Sequence, residues 1–157
     1  MDRQGHTDSR ILHSVIGVPI DSVTWSQALA RISAWAAAKQ SRYICICNVH
    51  SVVTARQDDL FAKVIRDADM ATPDGAPVAW LIRQIGGPRQ ERINGPDLMW
   101  HYCAKAAQRN ESIYLYGGQQ RTLDILQRRL LAHFPGLKIA GAYSPPYRAL
   151  TSEEDAA

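Results

Sequence analysis

Ala68-Asp69-Met70-Ala71-Thr72-Pro73-Asp74-Gly75 reads as a short strand that runs out into a tight turn. Pro73 fixes its own φ near −65° and biases Thr72 towards an extended backbone. Gly75 admits a backbone geometry that a Cβ would resist. An apolar, helix-like segment follows from Ala76 to Ile85. Asp74 therefore lies between a strand end and a helix start, where ligands of open α/β sheets bind. The same aspartate equally suits a turn closure or a helix cap.

Working outward, strand and helix patterns alternate. Arg42 to Cys47 is β-rich and almost wholly apolar, as expected of a strand buried on both faces, and Asn48 ends it. Val49–Arg56 and Leu60–Ala68 have helical patterns, with Asp58-Asp59 between them as a break or cap. Ala76–Ile85 stops at Gly86-Gly87-Pro88, and Pro96 suits the first turn of a helix that runs to about Arg109. Ser112–Tyr116 is a strand punctuated by Gly117-Gly118. Thr122–Phe134 carries Leu123, Leu126, Leu130 and Leu131 in helical phase, Pro135-Gly136 ends it, and Leu137–Ala142 is the next strand. This alternation predicts a Rossmann-like parallel sheet flanked by helices, an α/β fold.

Before this core, residues 1–10 are polar and aperiodic, which predicts a disordered tail; residues 11–157 form the predicted α/β domain. Ile11–Ile20, broken at Gly17 and Pro19, fits a small hairpin. Thr24-Trp25-Ser26-Gln27 matches a capping box for a helix ending near Lys39–Gln40. Thr151-Ser152-Glu153-Glu154 is a second capping box. It announces a helix barely one turn long, so the sheet is expected to be incomplete and the chain to be the N-terminal part of a longer protein or a truncated reading frame.

Composition narrows the function. The apolar fraction is 46%, the charged fraction 21% and the net charge +3, as for an ordinary globular protein. That charge weakly favours anionic ligands and is too small to argue for nucleic acid, so none is expected as a partner. Arg far outnumbers Lys, and Arg is the better bidentate phosphate donor. Cys45 and Cys47 read as same-face strand residues, and Cys103 brings no second ligand pair, so no zinc site is expected. Three thiols suit the reducing cytoplasm. No apolar run reaches transmembrane length, so any membrane contact is expected to be peripheral.

Asn48, Asp74 and Gly117-Gly118 each follow a strand, and such ends can share a crevice. The glycine pair can offer backbone N–H groups to a phosphate or simply make a turn. His50 is an acid–base candidate or a structural histidine. Arg92 can meet a diphosphate or pair with Glu91 or Asp97.

Taken in order, Asn48-Val49-His50, Pro73-Asp74-Gly75, Glu91-Arg92…Gly95…Asp97-Leu98, Tyr114-Leu115-Tyr116-Gly117-Gly118 and Phe134-Pro135-Gly136-Leu137…Gly141 form a pattern that resembles the WecG/TagA/CpsF family of bacterial glycosyltransferases, over about residues 15–157. The resemblance implies transfer of a sugar from a UDP-sugar to a polyprenyl-diphosphate-linked acceptor in cell-surface polysaccharide synthesis: teichoic acid, enterobacterial common antigen or exopolysaccharide. It implies inversion, no metal, no cofactor and action at the inner face of the cell membrane, and leaves a homo-oligomer open. The family's general base falls on Asp74, its active-site Asn on Asn48 and its diphosphate-contacting Arg on Arg92. Members often carry Thr two residues before the Asn, where this chain has Ile46. They also continue past the end of this sequence, into a Gly-x-Pro-Lys-Gln-Glu-like motif and a basic appendage. The competing expectations are an inactive truncated paralogue that binds nucleotide sugar without turnover, and a generic nucleotide-binding module with Asp74 as a turn residue.

Overall fold

A computed structural model of the chain describes residues 10–86 and 89–155. The predicted tail, apart from Arg10, and the Gly87-Pro88 helix stop lie outside the described residues. The chain divides between Leu98 and Met99 into two compact units.

In the first unit, β1 (Leu12–Val15) and β2 (Val18–Asp21) form an antiparallel hairpin. Its two-residue turn places Ile16 at φ 44° and Gly17 at φ 91°, the left-handed pair that matches strand twist. Helix α1 (Trp25–Ala37) starts at Thr24, whose hydroxyl accepts the Gln27 N–H while the Gln27 side chain accepts the Thr24 N–H. Both halves of the predicted capping box are thus formed. Strand β3 (Ile44–Cys47) leads into α2 (Val49–Gln57). Asp58 then caps α3 (Asp59–Asp67), its carboxylate accepting the N–H groups of Leu60 and Phe61. Strand β4 (Met70–Pro73) and α4 (Ala76–Gln84) follow.

β3 and β4 are parallel, in register from Ile44↔Met70 to Cys47↔Pro73. All four residues of β4 are buried, whereas Ile44, Cys45 and Ile46 are half-buried. The expectation that β3 is buried on both faces therefore fails for three of its residues. The reason is position: β4 has β3 on its ladder and also contacts β2. The core joins Val15, Val18 and Ile20 to Val52, Ala55, Ala62 and Ile65 of α2 and α3, with Ala71, Val78 and Ile82.

In the second unit, β5 (Ser112–Tyr116) and β6 (Lys138–Tyr143) are parallel, connected through α6 (Gln120–His133). Cys103 and Ala106 come from α5 (Gly95–Arg109). They pack with Leu115, Leu123, Leu130 and Leu137 into a separate cluster. Tyr114 lies over Gly141: a Cβ there would come within 2.6 Å of the ring. Helix α7 (Ser152–Asp155) has the second capping box, with Thr151 N–H donating to Glu154 and Glu154 N–H to the Thr151 hydroxyl. The α/β architecture with parallel strand pairs flanked by helices is the one the alternation predicts.

Candidate active site

The C-terminal end of the β3–β4 pair is held by a chain of backbone bonds. Asp74 N–H donates to Cys47 C=O at 2.9 Å, continuing the ladder one step beyond the strands. Ile93 N–H donates to Pro73 C=O at 2.9 Å, and the Thr72 hydroxyl donates to Ile93 C=O at 3.2 Å. Asn48, Asp74 and Arg92 are each one residue from these anchored positions. The structure thus brings the three together at one end of one parallel pair.

Each has its own surroundings. Asn48 is exposed and caps α2: its Oδ1 accepts the Ser51 N–H at 3.0 Å and the Ser51 hydroxyl at 3.2 Å. The capping bond uses the acceptor end of the amide and leaves Nδ2 to donate. Asp74 is half-buried, and Gly75 behind it takes φ 87° and starts α4 without a side-chain cap. Its carboxylate, with that of Asp21 and the Cys45 thiol, adds to the burial that pushes the Cys47 thiol up to about 12. Arg92 is exposed and sits 3.8 Å from Asp97, a loose pair of the kind that contributes little. His50 is exposed in the first turn of α2.

The loop that carries Arg92 is fastened more firmly than its polar sequence suggests. Gln90 is buried, and its side-chain amide bonds both backbone groups of Val23, accepting at 2.9 Å and donating at 2.7 Å. Arg83 donates to Gln90 C=O at 3.0 Å. Beyond the loop, buried Asn94 caps α5, accepting the Asp97 N–H at 2.9 Å and donating to its carboxylate. Gly95 lies against Ile46, at 3.7 Å from where a Cβ would be. Arg92 is thereby held between two fixed points while its side chain stays in solvent.

Sequence reasoning missed Thr72, Gln90 and Asn94. Asn94 had a readable signal, an Asn three residues before an Asp at a helix start. Gln90 had none, because its partner is far away in sequence.

Gly117 and Gly118 belong to the second unit, where they take φ 105° and 74° after β5. Gly117 N–H donates to Tyr143 C=O at 2.9 Å, and the Ser144 hydroxyl donates to Gly118 C=O at 2.6 Å. Neither glycine would bring a Cβ within 4 Å of another atom, so the turn conformation, and not crowding, requires them. Helix α6 starts behind them without a side-chain cap. Among the described residues, no group of three or more His, Cys, Asp or Glu is placed to hold a metal ion. No helix among them is long and apolar enough to cross a membrane.

A Rossmann-like α/β fold with a carboxylate, an amide and a guanidinium at the C-terminal end of parallel strands defines the ligand-binding class of open α/β sheets. Residues 13–157 match the glycosyl transferase WecG/TagA/CpsF family, and the chain belongs to that family. It is 33% identical over 105 residues to an N-acetylglucosaminyldiphosphoundecaprenol N-acetyl-beta-D-mannosaminyltransferase of Bacillus spizizenii. The match covers 67% of this chain and 40% of the length of that relative.

Proposed function

We propose that this chain carries the catalytic end of a glycosyltransferase that moves a sugar from a UDP-sugar to a polyprenyl-diphosphate-linked acceptor, with inversion and without a metal. The observation that supports this most is the position of Asn48, Asp74 and Arg92 in the chain, each at or next to a residue whose backbone is bonded at one strand end. The relative's name points to an N-acetylmannosamine-like donor sugar and an acceptor bearing N-acetylglucosamine.

In this reading Asp74 takes the acceptor hydroxyl proton as that oxygen attacks the anomeric carbon from the face opposite the leaving group. A positioned base supplies roughly 10²–10⁴-fold. The bond to UDP breaks, and Arg92 meets the charge on the departing diphosphate. Its exposed and weakly paired state suits that task. Asn48, held by its cap, offers Nδ2 to a substrate hydroxyl. Gly117 and Gly118 are proposed to offer backbone N–H groups to phosphate, and His50 to line the acceptor side. The protein works at the cytoplasmic face of the membrane, as a peripheral enzyme.

Two variants test the assignment in UDP-release and UDP-binding assays. Asp74→Asn should lower kcat by roughly 10²-fold or more and leave UDP affinity nearly unchanged. Arg92→Ala should lower both. Near-normal turnover in Asp74→Asn would return Asp74 to a turn residue. UDP binding by the wild type with no turnover on any polyprenyl-linked acceptor would favour the reading as a nucleotide-sugar-binding fragment.

A further inference from the structure

A second feature of the first unit lies away from the strand ends. The hairpin turn and the α2–α3 pair enclose a hollow of about 200 Å³. Its floor is apolar, with Val18, Ala55 and Ala62. Its rim carries Arg56, Asp59 and Arg66. Asn48, Asp74 and Arg92 do not line it. Arg56 lies seven residues into α2 from Val49, so the hollow is roughly 10 Å along that helix from its Asn48 end.

The hollow is shaped by residue size. Ala55 and Ala62 are the short side chains where two helices face the hairpin, and a larger residue at either would fill it. Its cations are arranged in different ways. Arg56 lies against the turn, with Nη1 donating to Ile16 C=O at 3.2 Å and 3.7 Å from where a Gly17 Cβ would be. Its other N–H groups remain for a ligand. Arg66 is exposed and has no ion pair among the described residues. It stands on one stripe of α3 with Asp59 and Ala62. Both arginines lie in the last turn of a helix, where a cation is favoured. That explains their charge but not the alanine-floored space between them.

We propose that this hollow binds a small phosphate monoester bearing hydroxyl groups, of the sugar-phosphate class. Two guanidinium groups match the phosphate oxygens. Asp59 accepts from a ligand hydroxyl, and the alanine floor takes the C–H face of a sugar ring. The volume suits a group of that size and is below the usual range for larger ligands.

The test is a titration of the whole chain with glucose 1-phosphate and inorganic phosphate, followed by NMR at the side-chain N–H groups of Arg56 and Arg66. This readout is separate from turnover and from UDP binding. Both probes should shift these signals saturably, the sugar phosphate at lower concentration. Arg66→Gln, a change at an exposed and unpaired position, should weaken both by about tenfold or more. Asp59→Asn should remove the advantage of the sugar phosphate and keep phosphate binding. Ala62→Leu should abolish both by filling the floor. The proposal is overturned if the arginine signals do not saturate, if Arg66→Gln binds as well as the wild type, or if Arg92→Ala removes the binding.

Discussion

Asp21, the last residue of β2, accepts the backbone N–H of Ala71 in β4 at 2.7 Å, although the two strands share no ladder. Asp21 is fully buried. Arg10 binds its carboxylate through two N–H groups at 2.9 and 2.7 Å, and Arg31 lies 3.5 Å away. Arg10 also donates to Ala68 C=O at 2.7 Å, at the start of the segment that leads to Asp74. One carboxylate thus attaches the hairpin to β4.

Removing it should be costly. Asp21→Ala leaves a buried N–H without its acceptor and removes the carboxylate that Arg10 binds through two N–H groups. Breaking a buried pair from one side typically costs about 3–5 kcal/mol. Urea unfolding should show a loss of stability of that size, and a cost below about 1 kcal/mol would mean that solvent reaches this position.

Gly141 and Tyr114 should be coupled. Gly141→Ala alone forces the Tyr114 ring to move, at a cost of about 1–3 kcal/mol, typical of overpacking. With Tyr114→Ala already present, the same substitution should cost little, since only strand conformation remains to be satisfied. A double-mutant cycle measures the difference. Additive effects would mean that the contact carries no energy.

The cysteines give a pH prediction. Burial chiefly raises the Cys47 thiol to about 12, with nearby Cys45, Asp21 and Asp74 adding to it. A thiol that holds its proton more tightly in the folded state stabilises the fold fully below its unfolded value of about 8.5. That stability should fall as pH rises from there towards 12. Cys47→Ala should flatten this alkaline decline. In native protein, iodoacetamide should label Cys47 only as fast as the fold opens, and rapid labelling at neutral pH would refute its burial.

Glu154 gives the opposite case. Hydrogen bonds from Arg148, at 2.7 and 2.8 Å, and then from the Thr151 N–H hold its carboxyl down at about 2. A depressed acid contributes stability above its unfolded value of about 4.3, and loses it as pH falls through the folded value. An NMR titration should place the Glu154 midpoint near 2 and show it rise towards the ordinary range in Arg148→Ala. An ordinary midpoint in the wild type would mean that the pair does not persist in solution.

Local signals carried most of the fold. Thr24 and Thr151 each announce a helix by a side chain whose partner is three residues away. Gly17 marks the hairpin turn, and the apolar periods place the helices. Boundaries moved where neighbours decide: β3 starts at Ile44 and not at Arg42, and β4 takes in Pro73. Pro73 has no N–H to offer, but its carbonyl is needed by Ile93. The candidate site residues were legible through a spaced family pattern, whereas their supports were not. Nothing local in Asp21 or Gln90 says that its partner is Ala71 or Val23, because burial of a polar residue depends on a contact the sequence does not print.

The fastening of Gln90 to Val23 has a consequence for the order in which the molecule assembles. The hairpin and the capped helices close over short stretches and can form early. The loop bearing Arg92 takes its place only when residues separated by 67 positions meet, after the strands between them are set. The strand-end cluster should therefore mature last during folding of the first unit. A refolding experiment would see secondary structure return before the Ile93 N–H, bonded to Pro73 C=O, is protected from exchange, with a delay that lengthens when Gln90 is replaced by alanine.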